Sequence, residues 1–184
     1  MNTQFNVPTR NEVSPTNQAI FDNLEKAVGF VPNIFATYAY SENALKNYLD
    51  FSNAKTSLKT KEKEVVNLAV SEVNQCQYCL SAHTAIAGMN GFSPAQILEL
   101  RAGGASFDSK LNALANLAKD ITENRGATSP EALNEFFAQG WTKENLIDTI
   151  SLVGDKTITN YLHKTTQVPV DFPVAQPLEA FATV

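Results

Sequence analysis

Residues 60–91 read TKEKEVVNLAVSEVNQCQYCLSAHTAIAGMNG. Thr60 opens one helical run, KEKEVVNLAVSEVN, which ends near Asn74-Gln75; a second, CQYCLSAHTAIAGMN, runs on to Gly91. This punctuation predicts a helical hairpin. The second arm holds both cysteines of the chain and one of its two histidines. Cys76, Cys79 and His83 stand at i, i+3 and i+7, so at about 100° per residue they share one helical face.

The same punctuation recurs on both sides of the hairpin. Ser14-Pro15 caps TNQAIFDNLEKAV, stopped by Gly29; GFVPN is a turn; IFATYAY is a short aromatic helix; Ser41 can cap ENALKNYLDFSNA. Downstream, Ser93-Pro94 carries the serine-to-glutamine spacing of a capping box, Asp108 starts SKLNALANLAKDITENR, Ser129-Pro130 starts EALNEFFAQ, and Thr142 caps a long last helix to about Gln167. Val, Ile and Thr never gather into period-two runs, so no strand is expected. The fold class is all-α, with eight or nine helices in a single domain over 14–167. An N-terminal arm (1–13) precedes it, and a proline-containing arm (168–184) follows. That last arm cannot continue a helix and is expected to be extended, either packed on this or a neighbouring subunit or frayed.

The net charge of −5 and the lack of a basic stripe argue against nucleic-acid and anionic-membrane partners. No apolar run approaches the length of a membrane span, and the polar start MNTQFNVPTR lacks the apolar core of a signal peptide. A cytoplasmic protein is expected, and there a cysteine pair reads as catalytic or metal-binding rather than as a staple.

Cysteines three apart in a helix lie within reach of a disulfide. A helix start favours a thiolate at Cys76, whereas Cys79, a turn further in, has His83 beside it as base or hydrogen-bond partner. A nucleophilic thiolate, a second thiol to resolve it and a histidine to move the proton form a redox centre. Zinc is the main competing chemistry. It is disfavoured because Cys76 and His83 are about 10 Å apart along the axis and no second Cys/His pair completes a site. Two buried structural cysteines and a satisfied histidine are the plainer alternative.

In an antiparallel hairpin Glu64 stands level with about residue 85, nearer to His83 than to either sulfur, which suggests a relay from Glu64 through His83 to Cys79. Against this, Val66, Ala69, Val70 and Val73 mark the apolar face and Glu64 points roughly the other way, as a surface glutamate would. Glu72 and Glu62 are weaker substitutes. His163 and Tyr161 of the last helix are candidates for lining a pocket, with a structural or exposed His163 favoured. Trp141 reads as a packing anchor and the phenylalanines as core.

Glu64, Cys76, Cys79 and His83 resemble the signature of the carboxymuconolactone decarboxylase-like superfamily, in its alkylhydroperoxidase D-like (AhpD-like), peroxidase-related branch. GFVPNIF resembles that branch's N-terminal turn, and TNYLHKTTQVPVDFP its C-terminal segment. The resemblance implies a helical fold that assembles as trimers or hexamers and reduces hydroperoxides. In it Cys79 attacks the peroxide, Cys76 resolves the sulfenate as a disulfide, and Glu64 and His83 relay the proton. No bound cofactor is implied; the reductant is an external dithiol, in well-known members a lipoylated protein. Members with well-defined peroxidase chemistry carry a histidine next to the second cysteine, and here that position is Tyr78, which cannot act as a base near neutral pH. Two other functions compete: a dithiol–disulfide oxidoreductase acting on a protein or lipoyl partner, and a non-enzymatic helical oligomer that senses redox state or binds metal.

Overall fold

Serine, threonine and aspartate caps start most of the helices where the sequence places them. The computed structural model describes residues 5–178, and these contain nine α-helices and no strand. They are α1 Pro15–Val28, α2 Asn33–Tyr38, α3 Ala44–Ser52, α4 Thr60–Val73, α5 Gln77–Met89, α6 Pro94–Ala102, α7 Ser109–Glu123, α8 Pro130–Ala138 and α9 Lys143–Thr166. The side chains of Ser14, Ser93, Asp108 and Ser129 each accept a first-turn N–H, which satisfies donors that have no partner within the helix. One boundary differs from expectation. α3 begins at Ala44 rather than next to Ser41, because residues 38–41 form a turn in which Tyr40 and Ser41 bond back to Thr37 and Tyr38, although the Ser41 hydroxyl still accepts the Ala44 N–H at 3.3 Å. Within the N-terminal arm, Arg10–Glu12 makes a 3₁₀ turn.

The described chain falls into two compact units, one of residues 5–55 with 162–171 and one of 56–161 with 172–178. In the first, Phe21, Ala36, Tyr38, Leu45 and Tyr48 form an apolar cluster, with the Tyr38 and Tyr48 rings stacked at 4.5 Å. Buried Asn17 closes it by donating to the carbonyls of Ala39 and Ser41. His163 also lies in this unit, buried, with Nε2 donating to the Val168 carbonyl at 3.1 Å. That is a structural role.

In the second unit α4 is the central helix, packed by α5, α6 and α7. Every residue from Glu64 to Ser71 is buried, so α4 has no solvent face over those two turns. This corrects the surface reading of Glu64. The apolar stripe marks only part of the covered surface, and Glu64, Asn67 and Ser71 lie on the remainder. Trp141 is an anchor as expected, stacked on Phe136 at 5.4 Å and donating Nε1–H to the Lys110 carbonyl. Residues 172–176 lie along α5 as an extended strap. Phe172 meets the Tyr78 ring edge-on, Gln77 donates to the Ala175 carbonyl at 2.8 Å, and the Ala175 N–H donates to Ser81. Residues 179–184 of the expected arm lie outside the described residues.

Candidate active site: a dithiol at a helix start

The turn between α4 and α5 is what positions the cysteines. The Cys76 N–H bonds to the Ser71 carbonyl and the Gln75 N–H to that of Glu72, the double bond pattern that closes a helix C-terminus. Gln75 occupies the left-handed position of that motif at φ 52°, where glycine is usual. The next residue, Cys76, is extended and already caps α5, its Sγ accepting the Cys79 N–H at 3.3 Å. One residue thus ends one helix and begins another. Both sulfurs are withdrawn from solvent, with Cys76 0% and Cys79 3% exposed.

The two thiols differ sharply in acidity. Cys79 is brought down to about 7, first by the hydrogen bond from Cys76 and then, against the cost of burial, by the positive charge of Lys156 and hydrogen bonds from Asn160 and Thr159. Cys76 is pushed far up by donating to Cys79, by burial, and by the negative charge beside it. The expectation of a thiolate at Cys76 is therefore reversed. A helix start does favour a thiolate, but two thiols three residues apart share a proton, and Cys79, which accepts the hydrogen bond from Cys76 and feels the charge of Lys156, releases it.

Glu64 Oε2 and His83 Nδ1 are 2.8 Å apart, and Asn67 donates to Glu64 Oε1 at 3.0 Å. Burial opposes the charge on Glu64 but is outweighed by His83, Asn67 and Lys156, so the carboxyl titrates below its ordinary value. Burial also pushes His83 down, assisted by Lys156 and opposed by Glu64 and Asp155. A neutral imidazole offers Glu64 no charge, so the state consistent with both directions is Nδ1–H donated to a carboxylate. That fixes Nε2 as the basic nitrogen of the ring. The Glu64–His83 contact of the expected relay is thus present. The contact from His83 to Cys79 is not a direct hydrogen bond; the ring's observed partner is Glu64. Glu62 and Glu72 are used elsewhere, Glu62 at the start of α4 and Glu72 against Arg101 at 2.7 Å. Tyr161 is exposed.

Lys156, Thr159 and Asn160 are the residues that sequence reasoning missed. Asn160 accepts from Asn74 at 2.9 Å and donates to Ser71 at 3.3 Å, tying α9 to the hairpin turn. A signal existed: Val153, Lys156, Asn160 and His163 recur at spacings of three, four and three, the pattern of a buried helix face, with polar residues where apolar ones are usual. Among the described residues no group of three His, Cys, Asp or Glu is arranged to hold a metal ion, and no helix is long and apolar enough to cross a membrane.

Fold and site together define an all-helical protein with a buried, asymmetrically ionised dithiol. Residues 41–120 match the model of the carboxymuconolactone decarboxylase family. The matched segment contains Glu64, Cys76, Cys79 and His83 and ends before α9. Among solved structures, an uncharacterized peroxidase-related protein from Silicibacter superposes with a TM-score of 0.78 at 21% identity, over 91% of this chain and 93% of that one. A second, from Ralstonia eutropha and described as an alkylhydroperoxidase AhpD core, gives 0.79 at 19% identity over 95% and 93%. A debrominase, Bmp8, solved in complex with 2,3,4-tribromopyrrole, gives 0.73 at 17% identity over 99% and 97%. These likenesses concern the fold. No curated protein matches the chain.

Proposed function

We propose that the protein is a thiol-dependent hydroperoxide reductase that cycles Cys76 and Cys79 between dithiol and disulfide. The observation that carries this reading is the asymmetry of the pair: a thiolate at Cys79 near neutral pH, held by a thiol at Cys76 that keeps its proton. The Cys79 thiolate attacks the O–O bond of ROOH; an S–O bond forms, the O–O bond breaks, and RO⁻ leaves to be protonated as ROH. Cys76 then attacks the sulfur of the Cys79 sulfenic acid, an S–S bond forms, and water leaves. Glu64 holds His83 so that Nε2 takes the proton lost by Cys76 in that second step and passes it to the departing hydroxide, which leaves as that water. An external dithiol, such as a lipoyl group, returns the pair to the reduced state with two electrons and two protons. Burial of both sulfurs favours a small substrate over a protein disulfide. The exposed stripe Ile147, Ile150, Ile158 and Tyr161 on α9 supports self-association, as trimers or hexamers.

The likeness to Bmp8 supports a second reading, in which the same dithiol reduces a small halogenated aromatic. Single-turnover oxidation of the reduced protein separates the two. Stoichiometric disulfide formed by an organic hydroperoxide, and abolished in Cys79→Ser, supports the peroxidase. Disulfide formed only with 2,3,4-tribromopyrrole, with release of bromide, moves the function to dehalogenation. Thiols that ignore both yet exchange with lipoamide identify a dithiol–disulfide oxidoreductase.

A further inference from the structure

Asn67 stands one turn beyond Glu64 on α4 and is buried, with 6% of its surface exposed. Its Nδ2 donates to Glu64 Oε1 at 3.0 Å, and Glu64 Oε2 lies 2.8 Å from His83 Nδ1. That bond fixes which end of the amide is which, because the reverse orientation would set the amide oxygen against a carboxylate. The other end, Asn67 Oδ1, is buried and has no hydrogen-bond donor among the described residues. A buried acceptor left unpaired costs free energy, and holding Glu64 needs only the donor end.

The register of the hairpin sets where that oxygen lies. α4 and α5 are tied at two levels, Glu64 to His83 through their side chains and Ser71 to Cys76 through the backbone at 3.0 Å. Asn67 falls between these levels, about 4.5 Å along the axis from Glu64, which makes it level with Leu80, next to Cys79. Glu64, Asn67 and Ser71 follow one another at i, i+3 and i+7 and so share one face of α4. Its outer two members meet His83 of α5 and Asn160 of α9. The unpaired oxygen is therefore held between the Glu64–His83 pair and the dithiol.

We propose that Asn67 is a substrate-binding residue whose Oδ1 accepts the O–H of a small hydroperoxide at Cys79. This role rests on the peroxidase reading and gives it a point of recognition. In ROOH the hydrogen sits on the terminal oxygen, the atom that the Cys79 thiolate attacks. An acceptor at that hydrogen orients the O–O bond towards the sulfur without taking the proton. The S–O bond forms, the O–O bond breaks and its electron pair leaves with RO⁻. The hydrogen stays on the oxygen now bound to sulfur, so Asn67 keeps its bond and holds the sulfenic acid for Cys76. A site built around one acceptor discriminates against a reagent with no O–H, because Oδ1 is then buried unpaired.

The test compares reduced wild type, Asn67→Leu and Glu64→Gln, each checked for cooperative melting. Each reacts in single turnover with tert-butyl hydroperoxide and, separately, with methyl methanethiosulfonate, a small thiolate reagent that has no O–H or N–H. The readout is the ratio of the two second-order rate constants, in which changes in thiolate population or access cancel. Asn67→Leu should lower that ratio by about 10-fold, the loss of one hydrogen bond, and Glu64→Gln should lower it less. An unmoved ratio in folded Asn67→Leu overturns the proposal. So does an equal fall in Glu64→Gln, which traces the effect to the carboxylate that Asn67 also holds. Should Asn67→Leu not fold, wild type decides: a ratio above that of free cysteine thiolate supports a bound hydroperoxide, and one at or below it overturns the proposal. A wild type that reacts with the thiosulfonate and ignores the hydroperoxide ends the peroxidase reading and this role with it. A wild type oxidised rapidly beside an Asn67→Leu of unchanged ratio removes the role alone.

Discussion

Ser93 at the head of α6 and Cys76 at the head of α5 hold the same position in the same motif. Each is extended, and each accepts the N–H three residues on at 3.3 Å, from Gln96 and Cys79 respectively. Ser93 completes its cap with the Gln96 side chain, which accepts the Ser93 N–H at 2.9 Å, and it stands in solvent. Cys76 is fully buried. A thiol is a weaker acceptor than a hydroxyl, so helix stability does not call for sulfur at this cap. The Cys76 S–H is the first cause of the low titration of Cys79, and what sulfur adds over a hydroxyl is the capacity to close a disulfide with it. One cap only starts a helix; the other is also half of a dithiol.

Exchanging the two chemistries is the strongest way to break this comparison. Cys76→Ser should cap α5 about as well, with stability within about 1 kcal/mol of wild type. It should be oxidised once by hydroperoxide and then stall, with a sulfenic acid at Cys79 detectable by mass or dimedone capture. Retained turnover in Cys76→Ser would remove Cys76 from the cycle. Glu64→Gln tests whether the carboxylate matters beyond packing. The rate of disulfide formation after sulfenate is expected to fall by about 10–100-fold in stopped-flow traces, with the first oxidation less affected.

A third expectation concerns acid. His83 and His163 are both held below the ordinary histidine value by burial, so the unfolded chain binds more protons than the folded one once pH falls below about 6.5. Glu64, held below its ordinary value, adds stability that is present above the unfolded carboxylate value and lost as pH falls through the folded one. Urea midpoints should therefore decline below about pH 6.5 and drop more steeply near pH 4; a flat profile from neutrality to pH 5 would contradict the burial of both rings. The smallest effect belongs to the ordinary cap. Ser93→Ala should cost about 1 kcal/mol in denaturant unfolding and leave thiol oxidation untouched.

Much of this was legible in the sequence because it is local. Helix caps, the turn at Asn74-Gln75 and the shared face of Cys76, Cys79 and His83 depend on neighbours within a few residues. So did the height of Glu64 against His83, once the hairpin was assumed. The burial of Glu64 was not legible, since it depends on α4 being packed by α5, α6 and α7 together, which no pattern within α4 records. The helix start pointed to Cys76 where the family resemblance pointed to Cys79, and for the same reason it could not weigh the acidity of the two thiols. Beyond the bond from Cys76, that acidity depends on Lys156, Asn160 and Thr159, which stand some eighty residues away in sequence and whose polar character disguised the buried face of α9. Long-range electrostatics was the missing information, not helix geometry.

The central claim is that one identified sulfur of the pair ionises near neutral pH while the other keeps its proton. Carbon-13 NMR of the reduced protein labelled at cysteine Cβ, followed against pH and assigned with Cys76→Ser and Cys79→Ser, tests it directly. The account predicts a Cys79 resonance that titrates at about 7 and a Cys76 resonance that stays in the thiol form throughout the range in which the protein is folded. Cys76 titrating first, or both resonances titrating together at the value of free cysteine, would contradict it.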